Sequence, residues 1–239
     1  MLRYMRNNHP FHNILYWYIR FFAFPFFKIL FGVLTRCEIL GQDNVPKGGP
    51  LLIISNHLSD SDQFLLYIAI KRRLVFMAND EVFRSLTVRL LGTAFGAFPV
   101  HRNKIDRKAI KDAYQVLDKG IALVIFPEGA RSRNAQLWPA LPGAALIALE
   151  KNVPILPVGI TGMEAKWKGI PWAAIHRPRI KLNIGRPFSL PEQNLKPTSR
   201  RLLALTDYIM KRVAALLPPE YRGYYARMAA SDDIGTVAP

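Results

Sequence analysis

Short apolar runs alternate with stretches of helical periodicity along most of this chain. The runs are rich in Leu, Ile and Val, as expected of buried strands, and the stretches between them place apolar residues at helical spacing. The predicted strands cover residues 36–40, 51–55, 74–77, 95–100, 121–126, 153–160 and 180–184, and the predicted helices cover residues 60–70, 80–91, 106–118, 139–150 and 199–217. This alternation predicts an α/β fold with a mixed, largely parallel sheet and helices on both faces.

One of these strands, 153–160, contains Pro154 and Pro157. Proline has no backbone N–H to donate to a neighbouring strand, so we expect an edge strand or an irregular strand there. The length of 239 residues fits one large domain, or one domain with an appendage.

A polar loop lies between two apolar elements at residues 56–62, with the sequence Asn-His-Leu-Ser-Asp-Ser-Asp. Loops at the ends of strands in open α/β sheets are where a rigid scaffold presents reactive groups. His57 can take up and return a proton near neutral pH. Asp62 is five residues further on and could hold the imidazole in place.

The two side chains can meet only if His57 lies outside the following helix. Five residues of continuous helix turn through about 140°, which would point His57 and Asp62 apart. Ser59 and Asp62 have the spacing of a capping box, which predicts a helix over 60–70 with Ser59 as its N-cap. His57 then lies just before the positive end of the helix.

Two other interpretations of this loop remain open. His57 could be incidental to a capped helix, or His57, Asp60 and Asp62 could bind a metal. The chain has five histidines and no second His/Asp/Glu cluster at ligand spacing, so we expect no metal. The single cysteine, Cys37, excludes an internal disulfide and a cysteine-based zinc site.

The formal net charge of +16 indicates a partner that carries phosphate. Nucleic acid, an anionic membrane and a phosphorylated substrate all meet that description. The basic residues are scattered among apolar segments, and no nucleic-acid-binding motif is present, so we expect no nucleic-acid partner.

Residues 14–34 are apolar and aromatic over about the length of a membrane span. Arg20 and Lys28 would be costly inside a bilayer, and Pro25 interrupts any helix there. We therefore expect an interfacial, membrane-associated helical segment over residues 1–35, with packing on the protein's own core as the alternative. No signal-peptide cleavage site follows. Residues 166–181 mix Trp with cations and suit a membrane interface or a basic surface loop equally.

Four stretches together resemble the glycerolipid acyltransferase family, specifically the 1-acylglycerol-3-phosphate acyltransferases. They are residues 56–62, with the His-x4-Asp pattern, residues 96–102, which end in arginine, residues 126–132, with the sequence Phe-Pro-Glu-Gly-Ala-Arg-Ser, and the proline-containing strand 153–158. Their order and spacing also fit the family, over about residues 35–190. Ala130 stands where threonine is usual, and His101 stands where an acidic residue is common.

The resemblance implies an acyltransferase domain over residues 36–225, followed by a loose tail over 226–239. It implies that His57 is the general base and that Asp62 orients it. It assigns the site of a phosphorylated acceptor to the residues Arg102, Glu128, Gly129 and Arg131. For Glu128 we expect a contact with a glycerol hydroxyl or with an arginine.

The implied reaction moves a fatty acyl group from acyl-CoA or acyl-carrier protein to lysophosphatidic acid, giving phosphatidic acid without a cofactor. Such an enzyme is expected at an anionic membrane, on the cytoplasmic face of the cell membrane. The same chemistry on glycerol 3-phosphate or another lysophospholipid is the nearest alternative. A non-catalytic lipid-binding protein is the alternative of another class.

Overall fold

The computed structural model describes residues 24–80, 97–101, 106–164, 175–191 and 196–229. Within these residues, seven strands form one sheet. The strands are β1 (Arg36–Leu40), β2 (Leu51–Ser55), β3 (Leu74–Asn79), β4 (Phe98–Val100), β5 (Ala122–Ile125), β6 (Ile155–Thr161) and β7 (Arg179–Ile184). The helices are α1 (Phe24–Leu34), α2 (Asp62–Ala69), α3 (Arg107–Asp118), α4 (Gly143–Lys151), α5 (Ser199–Ala215) and α6 (Ala226–Ala229).

The strand order is β1-β7-β6-β2-β5-β3-β4. Five of the six strand pairings are parallel, and only β6 and β7 run antiparallel. The predicted mixed, largely parallel sheet is therefore confirmed. Because β2 lies between β5 and β6, all five of its residues are buried. A strand covered on both faces has this continuous apolar character.

Alternate residues of the central strands point to opposite faces of the sheet. Leu52 and Ile54 of β2 join a core with α3, α4 and α5, whereas Leu51 and Ile53 join a second core with α2. Helices on both faces were predicted and are confirmed. Packing on both sides holds β2 rigidly and fixes the loop that follows it.

Of the two possibilities raised by the prolines of β6, the edge strand is wrong, and the structure has the irregular strand. β6 is an interior strand, paired with β2 on one side and β7 on the other. Pro157 lies in register with Ile54 of β2, and its carbonyl accepts from Gly185 N on the other side of the strand. Regular β7 pairing begins only at Val158, and Phe188 bonds to Ile155, so the ladder is interrupted where Pro157 lacks a donor. A break in the partner strand allows proline inside the sheet.

Only part of the N-terminal segment lies within the described residues. There, α1 packs against β1 through Leu34 and leaves Phe26, Ile29 and Val33 between 61% and 67% exposed on one side. No described helix is both long enough and apolar enough to cross a bilayer. At the other end of the chain, α6 opens the segment expected to be a loose tail, and residues 230–239 are not described.

Gly162 joins β6 to the segment that leads into β7, and it should not tolerate a side chain. Its φ is +81°, and a Cβ there would overlap the carbonyl oxygen of Arg179. We expect Gly162→Ala to lower the free energy of unfolding by at least about 2 kcal/mol, because left-handed backbone strain adds to the clash. Urea unfolding measures the loss.

Gly48→Ala is the matched control, since an added Cβ meets nothing within 4 Å at that position. Equal stability of the two variants would contradict this account of the turn after β6.

Candidate active site

Two loops meet at one edge of the sheet because β2 and β5 are adjacent and parallel. Residues 56–61 follow β2, and residues 126–132 follow β5. The backbone N–H of Ser132 donates to the carbonyl of His57 at 2.8 Å, which ties the loops together. This edge is where open α/β sheets place their ligands.

His57 and Asp62 meet across the start of α2. His57 Nδ1 lies 2.8 Å from Asp62 Oδ2, and the same oxygen accepts from the backbone N–H groups of Leu58 (2.6 Å) and Ser59 (2.9 Å). Since Oδ2 is the acceptor in these bonds, Nδ1 is the donor toward it. The lone pair of the ring then resides on Nε2.

The start of α2 corrects the predicted helix over 60–70. The helix begins at Asp62, and Ser61 precedes it without a side-chain cap. Ser59 accepts from Asp62 N through its carbonyl, while its Oγ accepts from Ser61 N. Half of the capping box exists, because Asp62 does accept from Ser59 N. The shorter helix keeps His57 well outside its first turn.

Asn56 anchors the same loop to β6. Its side-chain amide donates to Ile160 O and accepts from Ile160 N, both at 2.8 Å, as a neighbouring strand would. Phe126 stacks on the His57 ring, with centroids 4.2 Å apart and planes 17° from parallel. The imidazole is therefore fixed by a hydrogen bond at one edge and an aromatic ring against its face.

Glu128 braces the two loops with both carboxylate oxygens. Oε1 accepts from His57 N at 3.2 Å, and Oε2 accepts from Trp138 N at 2.8 Å. Burial raises the pKa of Glu128 to about 7, against the lowering effect of the two N–H donors, and the nearby Asp62 carboxylate adds to the rise. Of the two contacts expected for Glu128, a glycerol hydroxyl or an arginine, the arginine contact does not occur among the described residues, where Arg131 pairs with Asp60.

The structure describes two of the remaining predicted site residues, a glycine and an arginine, and does not describe the third. Gly129 has a φ of +70°, and a Cβ there would lie 3.1 Å from Leu141, so glycine suits the turn. Arg131 lies on the exposed rim, with its Nη1 2.7 Å from Asp60 Oδ2. Arg102 lies outside the described residues. No group of three potential metal ligands occurs among the residues that the structure describes.

Sequence reasoning missed the residues that support the site from the C-terminal part of the chain. Tyr221 O accepts from Leu137 N at 2.9 Å, and the buried Tyr225 hydroxyl accepts from Ala140 N at 3.0 Å. These contacts hold the segment that presents Trp138 N to Glu128. A backbone carbonyl such as that of Tyr221 carries no sequence pattern, and only the tyrosines at positions 221, 224 and 225 after Pro218-Pro219 could have indicated these contacts.

Fold and site together define an α/β protein with an oriented His–Asp pair at the carboxyl ends of its central strands. Such a pair suits removal of a proton from a hydroxyl group, because the lone pair on Nε2 of His57 can accept it. A family model described as acyltransferase matches residues 36–161. The chain belongs to the acyltransferase family.

Individual relatives agree with that placement. A 1-acyl-sn-glycerol-3-phosphate acyltransferase of Limnanthes douglasii is 32% identical over 55% of this chain and 47% of its own. One of Bacillus subtilis is 24% identical over 79% of this chain and 92% of its own. The chain spans about half the length of several curated relatives that it matches. The resemblance noted from the motifs is confirmed by these matches.

A solved structure gives independent support for the fold. The crystal structure of the 1-acyl-sn-glycerophosphate acyltransferase PlsC from Thermotoga maritima aligns with a TM-score of 0.56. It is 21% identical, and the alignment covers 77% of this chain and 73% of the other.

The raised pKa of Glu128 gives a pH dependence of stability. Its pKa is 4.5 in an unperturbed carboxyl and about 7 here, so the folded protein holds this proton more tightly than the unfolded chain. That stabilisation is complete below about pH 4.5 and is lost as pH rises through about 7. At about 1.4 kcal/mol per pKa unit, it amounts to about 3 kcal/mol.

Comparing Glu128→Gln with the unsubstituted protein isolates this contribution. We expect the free energy of unfolding of the unsubstituted protein to fall relative to Glu128→Gln, by about 3 kcal/mol between pH 4 and pH 8. Urea unfolding across that range measures it, with the exposed Glu150→Gln as the control for replacing a carboxylate by an amide. A constant difference would rule out a buried, proton-binding Glu128.

Proposed function

We propose that this protein transfers a fatty acyl group from an acyl thioester to the free hydroxyl of lysophosphatidic acid, producing phosphatidic acid. The observation that carries the proposal is the 2.8 Å contact between His57 Nδ1 and the buried carboxylate of Asp62. The names of the relatives support lysophosphatidic acid as the acceptor. The acyl donor is acyl-CoA or acyl-carrier protein.

In this mechanism His57 is the general base and then the general acid. Nε2 removes the proton of the acceptor hydroxyl as its oxygen attacks the thioester carbonyl. The tetrahedral intermediate collapses by breaking the carbon–sulfur bond, and the imidazolium returns the proton to the leaving thiolate. Asp62 keeps the productive tautomer and stabilises the imidazolium, as the carboxylate does in a hydrolase triad.

Direct transfer needs no covalent enzyme intermediate, because the acceptor hydroxyl is itself the nucleophile. Ser132 is buried and its Oγ donates to Gln136 O at 2.8 Å, which does not suit a nucleophile. Burial raises the pKa of the Cys37 thiol, and Cys37 lies on the edge strand β1. The thioester is already activated, so the proposed step uses neither a redox cofactor nor a metal.

The phosphate of the acceptor would be bound by arginine at the rim of the site. Arg131 is exposed there and has a planar guanidinium suited to bidentate phosphate contacts. Arg102 is proposed as its second cation. Gly129 would let the acceptor approach the backbone closely, and Glu128 would act by holding His57 N rather than by touching phosphate.

The test is release of free thiol from a long-chain acyl-CoA in lipid micelles, with and without lysophosphatidic acid. His57→Ala removes the base, so we expect acceptor-dependent release to fall at least about a hundredfold. Asp62→Asn should cause a comparable fall in kcat, because the wrong tautomer is favoured. Asp43→Asn, an exposed aspartate between β1 and β2, is the matched control.

Other results would change the assignment. Release without acceptor would identify a thioesterase, and no release would direct the assay to acyl-carrier protein and other lysolipids. If all donors and acceptors fail, the non-catalytic lipid-binding alternative replaces the enzyme.

The membrane contact is proposed to be formed by α1, on the cytoplasmic face of an anionic membrane. Phe26, Ile29 and Val33 share one side of this helix and are all exposed. Lys28 is exposed on the same helix, and Arg177 donates to Gly32 O, which places two cations beside the apolar stripe. An apolar face with cations at its border suits anionic lipid.

Replacing two positions of this stripe by acids should weaken lipid binding. We expect Ile29→Glu with Val33→Glu to lower the fraction that floats with phosphatidylglycerol vesicles at least about tenfold, since buried apolar side chains contribute 1.5–3 kcal/mol each. Leu203→Glu, at an exposed leucine of α5, is the control. Equal flotation of the three proteins would exclude α1 as the contact.

A further inference from the structure

An ion pair between Arg131 and Asp60 spans the rim of the candidate site. Arg131 Nη1 donates to Asp60 Oδ2 at 2.7 Å, and the two side chains are 56% and 78% exposed. Asp60 belongs to the loop after β2, and Arg131 belongs to the loop after β5. The pair therefore joins the loops that carry His57 and Glu128, on their solvent side.

Asp60 differs from the other acids of these two loops. Asp62 and Glu128 are buried and use their oxygens to hold backbone N–H groups in place. Asp60 is exposed, and its one described side-chain contact is the bond to Arg131. Apart from that bond, no described contact ties its carboxylate to the backbone of either loop, so it can leave Arg131 while Asp62 and Glu128 keep the loops in place.

The contact is also weak by its nature. One guanidinium nitrogen of Arg131 is engaged, and the paired bonds that a planar fork can make are not formed. Exposed ion pairs contribute little stability, because water screens them and ordering two long side chains is costly. A phosphate dianion that binds the fork through two oxygens has both a higher charge and a better geometry.

We infer that Asp60 sets the affinity of the site for its acceptor: it competes with the acceptor's phosphate for Arg131 and is displaced when the acceptor binds. The inference rests on the proposed function, because it takes the acceptor to be a phosphate ester. A dianionic phosphomonoester gains more from the guanidinium than a monoanionic phosphodiester does, so it displaces the carboxylate more fully. Removing Asp60 should therefore help the phosphomonoester more.

The displacement precedes the chemical step and persists through it. Removing the competitor therefore tightens the ground state and the transition state equally, which changes KM and leaves kcat nearly constant. A merely structural role for Asp60 would instead lower kcat or stability. The split between the two constants separates these roles.

The experiment compares Asp60→Asn with the unsubstituted protein in turnover and in binding. We expect KM for lysophosphatidic acid to fall about two- to fivefold, the range that an exposed ion pair supports, with a smaller change for lysophosphatidylglycerol. Equilibrium binding of lysophosphatidic acid to His57→Ala, with and without Asp60→Asn, should show the same gain without turnover.

A background lacking the arginine distinguishes the competition from general charge effects. In Arg131→Ala, adding Asp60→Asn should bring no gain, whereas loss of a nearby negative charge alone would still help an anionic lipid. Asp43→Asn matches the charge change at the other end of β2 and should leave binding unchanged.

The outcomes separate the inference from the proposed function. Acylation of lysophosphatidic acid with unchanged or weaker binding by Asp60→Asn overturns the inference alone, as does a gain that persists in Arg131→Ala. A protein that neither binds nor acylates lysophosphatidic acid overturns the proposed function, and the competition with it.

Discussion

The site depends on the hydrogen bonds that the buried carboxylate of Asp62 accepts. One of its oxygens accepts from two backbone N–H groups of its own loop and from His57 Nδ1. Its other oxygen is buried without a hydrogen-bond partner among the described residues. Burying an unpaired carboxylate oxygen costs free energy, so its presence calls for a structural or functional explanation. Here it folds the loop back on the helix and would face the positive charge that His57 gains when it acts as a base.

Glu128 shows how far the site is built from backbone contacts. A carboxylate that accepts two N–H bonds would ordinarily favour its charged form, yet burial raises its pKa to about 7. The Glu128 carboxylate thus holds His57 N with one oxygen and Trp138 N with the other, although burial makes its charged form less stable. Holding the histidine in this way lowers the stability of the fold near neutral pH. Perturbed pKa values such as that of Glu128 cluster at functional sites.

The sequence was informative where the pattern is local and less so where partners are distant. The alternation of apolar runs and helical stretches predicted the sheet. The contact of His57 with Asp62 was predicted by placing His57 just before the helix, where the two side chains can meet. The prolines of β6 indicated an edge strand or an irregular strand, and only the structure shows that β6 is interior, with a break in its pairing with β7. The pairing of Arg131 with Asp60 was missed, since seventy-one positions separate them in the chain. Contacts of that kind follow from strand order, which periodicity does not reveal.

The C-terminal part of the chain extends the site beyond the residues that the family model matches. The Tyr221 carbonyl and the Tyr225 hydroxyl accept from backbone N–H groups of the segment 137–140, and that segment in turn presents Trp138 N to Glu128. The histidine's position is therefore set from three directions: β6 through Asn56, α2 through Asp62, and the C-terminal turns through Glu128. Because the imidazole is braced from buried elements on each side, the exposed rim with Asp60 and Arg131 is free to change partners without disturbing the base.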